Sequence, residues 1–179
     1  DRIIAQSVGA NKKQKTLPKK KVPEYYKSTS KPKKQEVREE YLLVDGYNVI
    51  FAWEDLKDLA QVSIDGARGK LLDVLCDYQG MKKCNLIVVF DAYRVQGHKT
   101  EISTYHNIHV VFTKEAETAD QYIEKFAHTH GRKYDVTVAT SDGLEQIIIR
   151  GQGCRLLSAR ELKRDYEEAK AQIRTEYLE

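Results

Sequence analysis

Cysteine is scarce in this sequence of 179 residues: Cys76, Cys84 and Cys154 are odd in number, widely spaced and include no C-x-x-C pair. Neither a disulfide framework nor a zinc site is suggested, and the three thiols read as reduced core or near-core groups. Long apolar runs are missing too. No stretch approaches the roughly 18 to 20 residues that cross a bilayer, and no signal-peptide core stands at the N-terminus. No membrane partner is expected, and a cytoplasmic location follows as the default. Neither G-x-G-x-x-G nor G-x-x-x-x-G-K-[ST] occurs, which argues against dinucleotide and P-loop nucleotide sites. Proline is confined to Pro18, Pro23 and Pro32, and Met81 is the single methionine. With Asp at position 1, the sequence reads as a fragment or processed product tethered to a preceding domain.

Charge is divided unevenly. Residues 1–38 hold 12 Lys and Arg against 3 Asp and Glu, leaving 18 of the 30 cations against 24 of the 27 acids for residues 39–179. A net charge of +9 over a stretch poor in apolar residues cannot offset the entropy of ordering, so residues 1–38 read as a basic linker or tail. Such a tail attracts RNA phosphates through counterion release, or serves as a solvated tether; the two roles are compatible. Residues 39–179 are long enough to bury a core without disulfides or metals.

Within that second part, the stretch Tyr41-Leu42-Leu43-Val44-Asp45-Gly46-Tyr47-Asn48 reads as a buried strand that runs out at an acid. Leu86–Phe90 ending in Asp91, and Val136–Thr140 ending in Ser141-Asp142, repeat the pattern. Ile108–Phe112 adds another strand, Tyr134–Thr140 delimits the fourth, and Arg155–Leu157 is short enough for an edge strand. Between them, Ile64, Ala67, Leu71, Leu75 and Tyr78 recur at helical spacing, with Gly80 as the expected stop. Ile50–Leu59, around Trp53, is consistent with a short helix or a loop. Thr118 and Gln121 form a capping box, as do Ser158 and Glu161; Ser141 is expected to cap the helix that runs from Asp142 to Arg150. The last helix carries Leu162, Tyr166, Ala169 and Ile173 on one face and is expected to pack on the sheet. Strands alternating with helices give a three-layer α/β domain with a mainly parallel sheet.

Parallel strands bring their carboxyl ends to one edge, so Asp45, Asp91 and Asp142 should converge there, with Asp120 opening toward the same edge from a helix N-terminus. Four carboxylates together repel unless a cation compensates. Mg2+ or Mn2+ is the natural candidate, since hard ions take oxygen ligands, and a two-metal site performs in-line phosphoryl displacement. The chemistry points to phosphodiester hydrolysis, with a phosphatase acting on small nucleotides as a weaker reading. Asn48 can orient a water or a phosphate without adding charge. Glu117, Thr118 and Ser141 are candidates for fixing the carboxylates, although each is also a common cap or surface residue. Arg68 reads as an exposed helix arginine or a phosphate contact. Tyr93, Arg94 and Lys99, in the loop after Asp91, suit single-stranded nucleic acid, because rings stack bases while cations meet the backbone. His128 and His130 face different directions and have no evident metal partner.

The segments VDGYNVI, ARGKLLDVLCDYQG, VVFDAYRVQG, VVFTKEAETADQYIE, VATSDGLEQ and LSARELK, taken in order, resemble the YacP-like branch of the NYN domains, relatives of the PIN-domain nucleases. The resemblance covers about residues 40–170. It implies a PIN-like α/β fold and a metal-dependent ribonuclease acting on RNA, with messenger RNA at the ribosome as one setting. Carried onto this sequence, the motif acids are Asp45, Asp91, Asp120 and Asp142, with Asn48 beside the first; Arg68 and the Tyr93–Gly97 loop also match the pattern. The stretch DRIIAQSVGANKKQKTLPKKK resembles the junction in elongation-factor-G-like, ribosomal-protection-type GTPases that end in such a domain. The alternative function is an RNA-binding or ribosome-binding module of the same fold that does no chemistry.

Overall fold

Alternation within Leu42-Leu43-Val44 sends successive side chains to opposite faces of a strand, and a strand that is apolar on both faces must be covered on both. The computed structural model describes residues 37–92 and 99–178. The expected basic tail falls outside them apart from Val37 and Arg38, as do Tyr93 and Arg94.

Among the described residues twelve elements follow in order: β1 (Glu40–Asp45), α1 (Gly46–Ala52), α2 (Glu54–Val62), α3 (Ile64–Lys82), β2 (Asn85–Phe90), β3 (Glu101–Tyr105), β4 (Ile108–Phe112), α4 (Ala119–His130), β5 (Asp135–Ala139), α5 (Gly143–Gly151), β6 (Arg155–Leu157) and α6 (Ala159–Leu178). The six strands form one sheet in the order β3-β4-β2-β1-β5-β6. All pairs are parallel except β3 with β4.

Two apolar clusters sandwich the sheet. Leu42, Val44, Leu86, Val88 and Phe90 meet Ile50 of α1, Leu56 of α2, Leu71 and Leu75 of α3 and Leu162 of α6. Leu43, Val89, Val111 and Val138 meet Ile123 and Ala127 of α4 and Ile149 of α5 on the other face. The expected three-layer α/β architecture is therefore present.

The region around Trp53 is two short helices that meet at Trp53, whose indole N–H donates to the Ala159 carbonyl at 2.7 Å and ties the α1–α2 corner to the start of α6. α3 passes through Gly80 and stops at Lys83, which takes the left-handed conformation at φ 60. The expected stop at Gly80 is thus three residues early, because a solvent-facing glycine weakens a helix without ending it. β3 is absent from the sequence reading: its Glu-Ile-Ser-Thr-Tyr run is polar and lies exposed at the sheet edge, so it carries no buried-strand signal. The final helix packs through Ala159 and Leu162, whereas Ile173 is 39% exposed and residues 171–177 all face solvent. Only its first half lies on the core.

Candidate active site

The chain runs from β1 to β2 on one side of the sheet and returns through β4 to β5 on the other, so the direction of winding reverses at β1. Open α/β sheets bind ligands at such a reversal, outside the strand carboxyl ends. Asp45 ends β1 there, Asp91 directly follows β2, Asp142 precedes α5, and Asp120 lies in the first turn of α4. All four line one open cleft of about 490 Å³, together with Tyr47, Asn48, Phe51, Ala52, Thr118 and Ala119.

Local backbone chemistry sets each acid. Asp45 stands at the N-cap of α1 without a full side-chain cap bond, and the Asn48 backbone N–H in the first turn lies near enough to favour its charged form. Gly46 lets α1 start at once: a Cβ there would lie 2.3 Å from the Phe90 ring. Asp91 Oδ1 accepts the Ala119 N–H, which fastens the end of β2 to the start of α4. Asp142 Oδ1 accepts from Leu144 N at 3.0 Å and Glu145 N at 3.2 Å and is the true cap of α5. Ser141 was the expected cap; its Oγ instead accepts the Ala159 N–H at 3.0 Å, because the α6 start lies beside the β5–α5 turn.

A model of the YacP-like NYN domain matches residues 42–179. The chain belongs to the YacP-like NYN family. It is 47% identical over 133 residues to the protein YacP of Bacillus subtilis (strain 168), an overlap covering 74% of this chain and 78% of that relative. The crystal structure of Rae1 (YacP) from Bacillus subtilis matches with a TM-score of 0.64 and 45% identity, over 76% of this chain and 79% of that one. A mutant of the same protein matches with a TM-score of 0.66 and 44% identity, over 76% and 80%. The fold is thereby PIN-like, and the family places the chain among nuclease-like, RNA-directed domains. These matches give no support to an origin in an elongation-factor-like GTPase.

Of the supporting residues expected for this NYN site, Thr118 lines the cleft, caps α4 in the expected capping box and donates its hydroxyl to Asp120. Asn48 Oδ1 accepts the Ser141 N–H at 2.7 Å, which leaves its Nδ2 as a donor at the cleft. Glu117 is buried and turned away, with Oε2 bound by Lys125 Nζ at 2.8 Å. Arg68 is partly buried: Nη1 donates to the Tyr47 hydroxyl at 2.8 Å and Nη2 pairs with Asp65. It therefore steadies a ring that lines the cleft. Lys99 is exposed.

Sequence reading missed Glu145. It is 2% exposed, behind Asp45, with Oε2 accepting the Thr140 hydroxyl at 2.8 Å and Oε1 left without a partner. Burial, then the adjacent Asp45 charge, pushes its pKa up to about 9. Burial also raises Asp45, to about 6, with Asp91 and Asp120 adding repulsion. Asp91 is raised by burial and by Asp120. At neutral pH Glu145 thus keeps its proton, and its otherwise unpartnered oxygen finds its bond with the Asp45 carboxylate. The signal was present in Glu145-Gln146-Ile147-Ile148-Ile149: Glu145 is one helical turn from buried Ile149, an acid on the inward face, while Leu144 and Ile147 point to solvent.

Among the described residues no three His, Cys, Asp or Glu side chains stand close enough to grip one ion by themselves. The donor set nonetheless suits magnesium or manganese. Magnesium keeps several waters and is bound through one or two carboxylates plus substrate phosphates. A cleft lined by four aspartates and by no Lys, Arg or His among the described residues is short of positive charge.

Proposed function

We propose that the chain is a metal-dependent endoribonuclease that hydrolyses phosphodiester bonds of single-stranded RNA, with messenger RNA on the ribosome as its setting. The observation that supports this most is the convergence of Asp45, Asp91, Asp120 and Asp142 on one open cleft whose described lining contains no Lys, Arg or His. Those four carboxylates would hold Mg2+ or Mn2+. When bound, the ions supply neutralisation of the phosphate and a more acidic water for attack.

The protein's own part is placement. Asn48 Nδ2 offers a neutral hydrogen bond to a phosphate oxygen beside Asp45. Glu145 holds Asp45 from behind, Thr118 holds Asp120, and the Ala119 amide holds Asp91. Reacting groups held in this way lose little freedom on reaching the transition state. The openness of the cleft suits a chain passing through it, and hence cleavage within RNA.

The deciding experiment is cleavage of end-labelled single-stranded RNA, free and ribosome-bound, with Mg2+, Mn2+ or chelator, using Asp142→Asn as control. Cutting is expected with either metal and is expected to vanish in chelator and in the variant; faster cutting of ribosome-bound RNA would support the ribosomal setting. Failure to cut any RNA while calorimetry shows metal bound would replace this reading with that of a binding module.

A further inference from the structure

Four carboxylates line the described wall of the cleft, which offers a phosphate chain a bound cation and the neutral Asn48 amide but no Lys, Arg or His. A contact to the bases themselves would add to these without adding charge, and α1 carries one. Val49 and Ile50 are fully buried, but Phe51, next in sequence, is 54% exposed and lines the same cleft as the aspartates. An exposed Phe alone needs no explanation. This one ends a run of rings that starts in the core: Phe112 and Phe90 stack at 5.5 Å, Phe90 meets Tyr47 edge-on at 5.0 Å, and Tyr47 lies 6.5 Å from Phe51 at an interplanar angle of 30°. Arg68 fixes the middle ring through the Tyr47 hydroxyl. The outermost ring is therefore presented from a braced support beside the acids.

Resting on the ribonuclease reading of this cleft, we propose that Phe51 is a stacking platform for a nucleobase adjoining the scissile phosphate, and that it ties the site to unpaired RNA. A π-face accepts any base and is indifferent to the surrounding negative charge, and base–aromatic stacking is worth about 1–3 kcal/mol per base. Bases inside a duplex present no free face, so the platform discriminates against paired RNA without reading sequence.

The test measures binding of a short unpaired oligoribonucleotide in magnesium, with every protein in the Asp142→Asn background so that the RNA survives. Phe51→Ala is expected to weaken binding by about 5- to 150-fold, the equivalent of that stacking energy. Phe51→Trp is expected to retain affinity and to show quenched emission on binding. An oligonucleotide carrying one abasic site, moved along the strand, should at one position lose the same factor and there become insensitive to Phe51→Ala. Binding by the Asp142→Asn parent that Phe51→Ala leaves within twofold would overturn the platform while leaving the nuclease reading intact. No binding of the same oligoribonucleotide by the unsubstituted chain in calcium, where Asp142 is intact, would overturn both.

Discussion

Asn48 Oδ1 accepts the Ser141 backbone N–H at 2.7 Å, joining the first turn of α1 to the turn after β5 across 93 positions of sequence. Neither group is charged, so the bond holds the Asp45 and Asp142 segments together without adding to the repulsion between their carboxylates. Asn48→Ala is expected to cost about 0.5–1.5 kcal/mol, the net worth of a single such bond. Cleavage should fall further than stability suggests, by about 10- to 100-fold, as for other residues that orient metal-site carboxylates. Denaturant unfolding and single-turnover cleavage, measured on one preparation, separate the two effects.

Glu145 gives a stability prediction with a definite sign. Its folded pKa, about 9, lies above that of an unfolded glutamate, so its proton favours the fold most below about pH 4.5. That contribution is lost as pH rises toward 9. Glutamine copies the protonated acid: it can accept from Thr140 and donate to Asp45. Glu145→Gln should therefore leave the melting temperature nearly unchanged at pH 5 and raise it increasingly toward pH 9, by about 2–8 °C for each kcal/mol gained. Thermal scans in chelator test this; a constant offset across that range would count against it.

Asp142 has two duties that substitutions can divide. Asparagine is as good an N-cap as aspartate, whereas alanine in place of a cap costs about 0.5–2 kcal/mol. Asp142→Asn should abolish cleavage with a melting temperature at or above the parent's, since one repelling charge is gone. Asp142→Ala should abolish cleavage and also destabilise the domain, because Leu144 and Glu145 lose their acceptor.

Gly46→Ala brings a methyl group to 2.3 Å from the Phe90 ring. Overpacking of this kind costs about 1–3 kcal/mol, and helix propensity returns at most about 1 kcal/mol of it. Phe90→Leu in the same chain should recover part of the loss, which a double-mutant cycle by denaturant unfolding would register.

The frame of the domain was legible because it is written in apolar periodicity: Leu42–Val44, Leu86–Phe90 and Val136–Ala139 are buried on both faces and look so in sequence. Asp45, Asp91, Asp120 and Asp142 were legible because each sits where a strand ends or a helix begins. β3 was not, since an exposed edge strand shares its composition with loops. Glu145 was hidden by a different cause. α5 is inverted, burying an acid and exposing Leu144 and Ile147, so hydrophobic pattern alone assigns its inward face to the wrong residues.

The antiparallel placement of β3 has a consequence for how this domain can change over time. β2 ends at Phe90 and β3 begins at Glu101, which is paired with Phe112, the carboxyl-end residue of β4. Both feet of the intervening connection thus stand on the edge that carries the aspartates. Residues can be gained or lost between them without shifting the register of any strand. Selection is free to change the length and sequence of that connection while the acids and the core beneath them stay as they are.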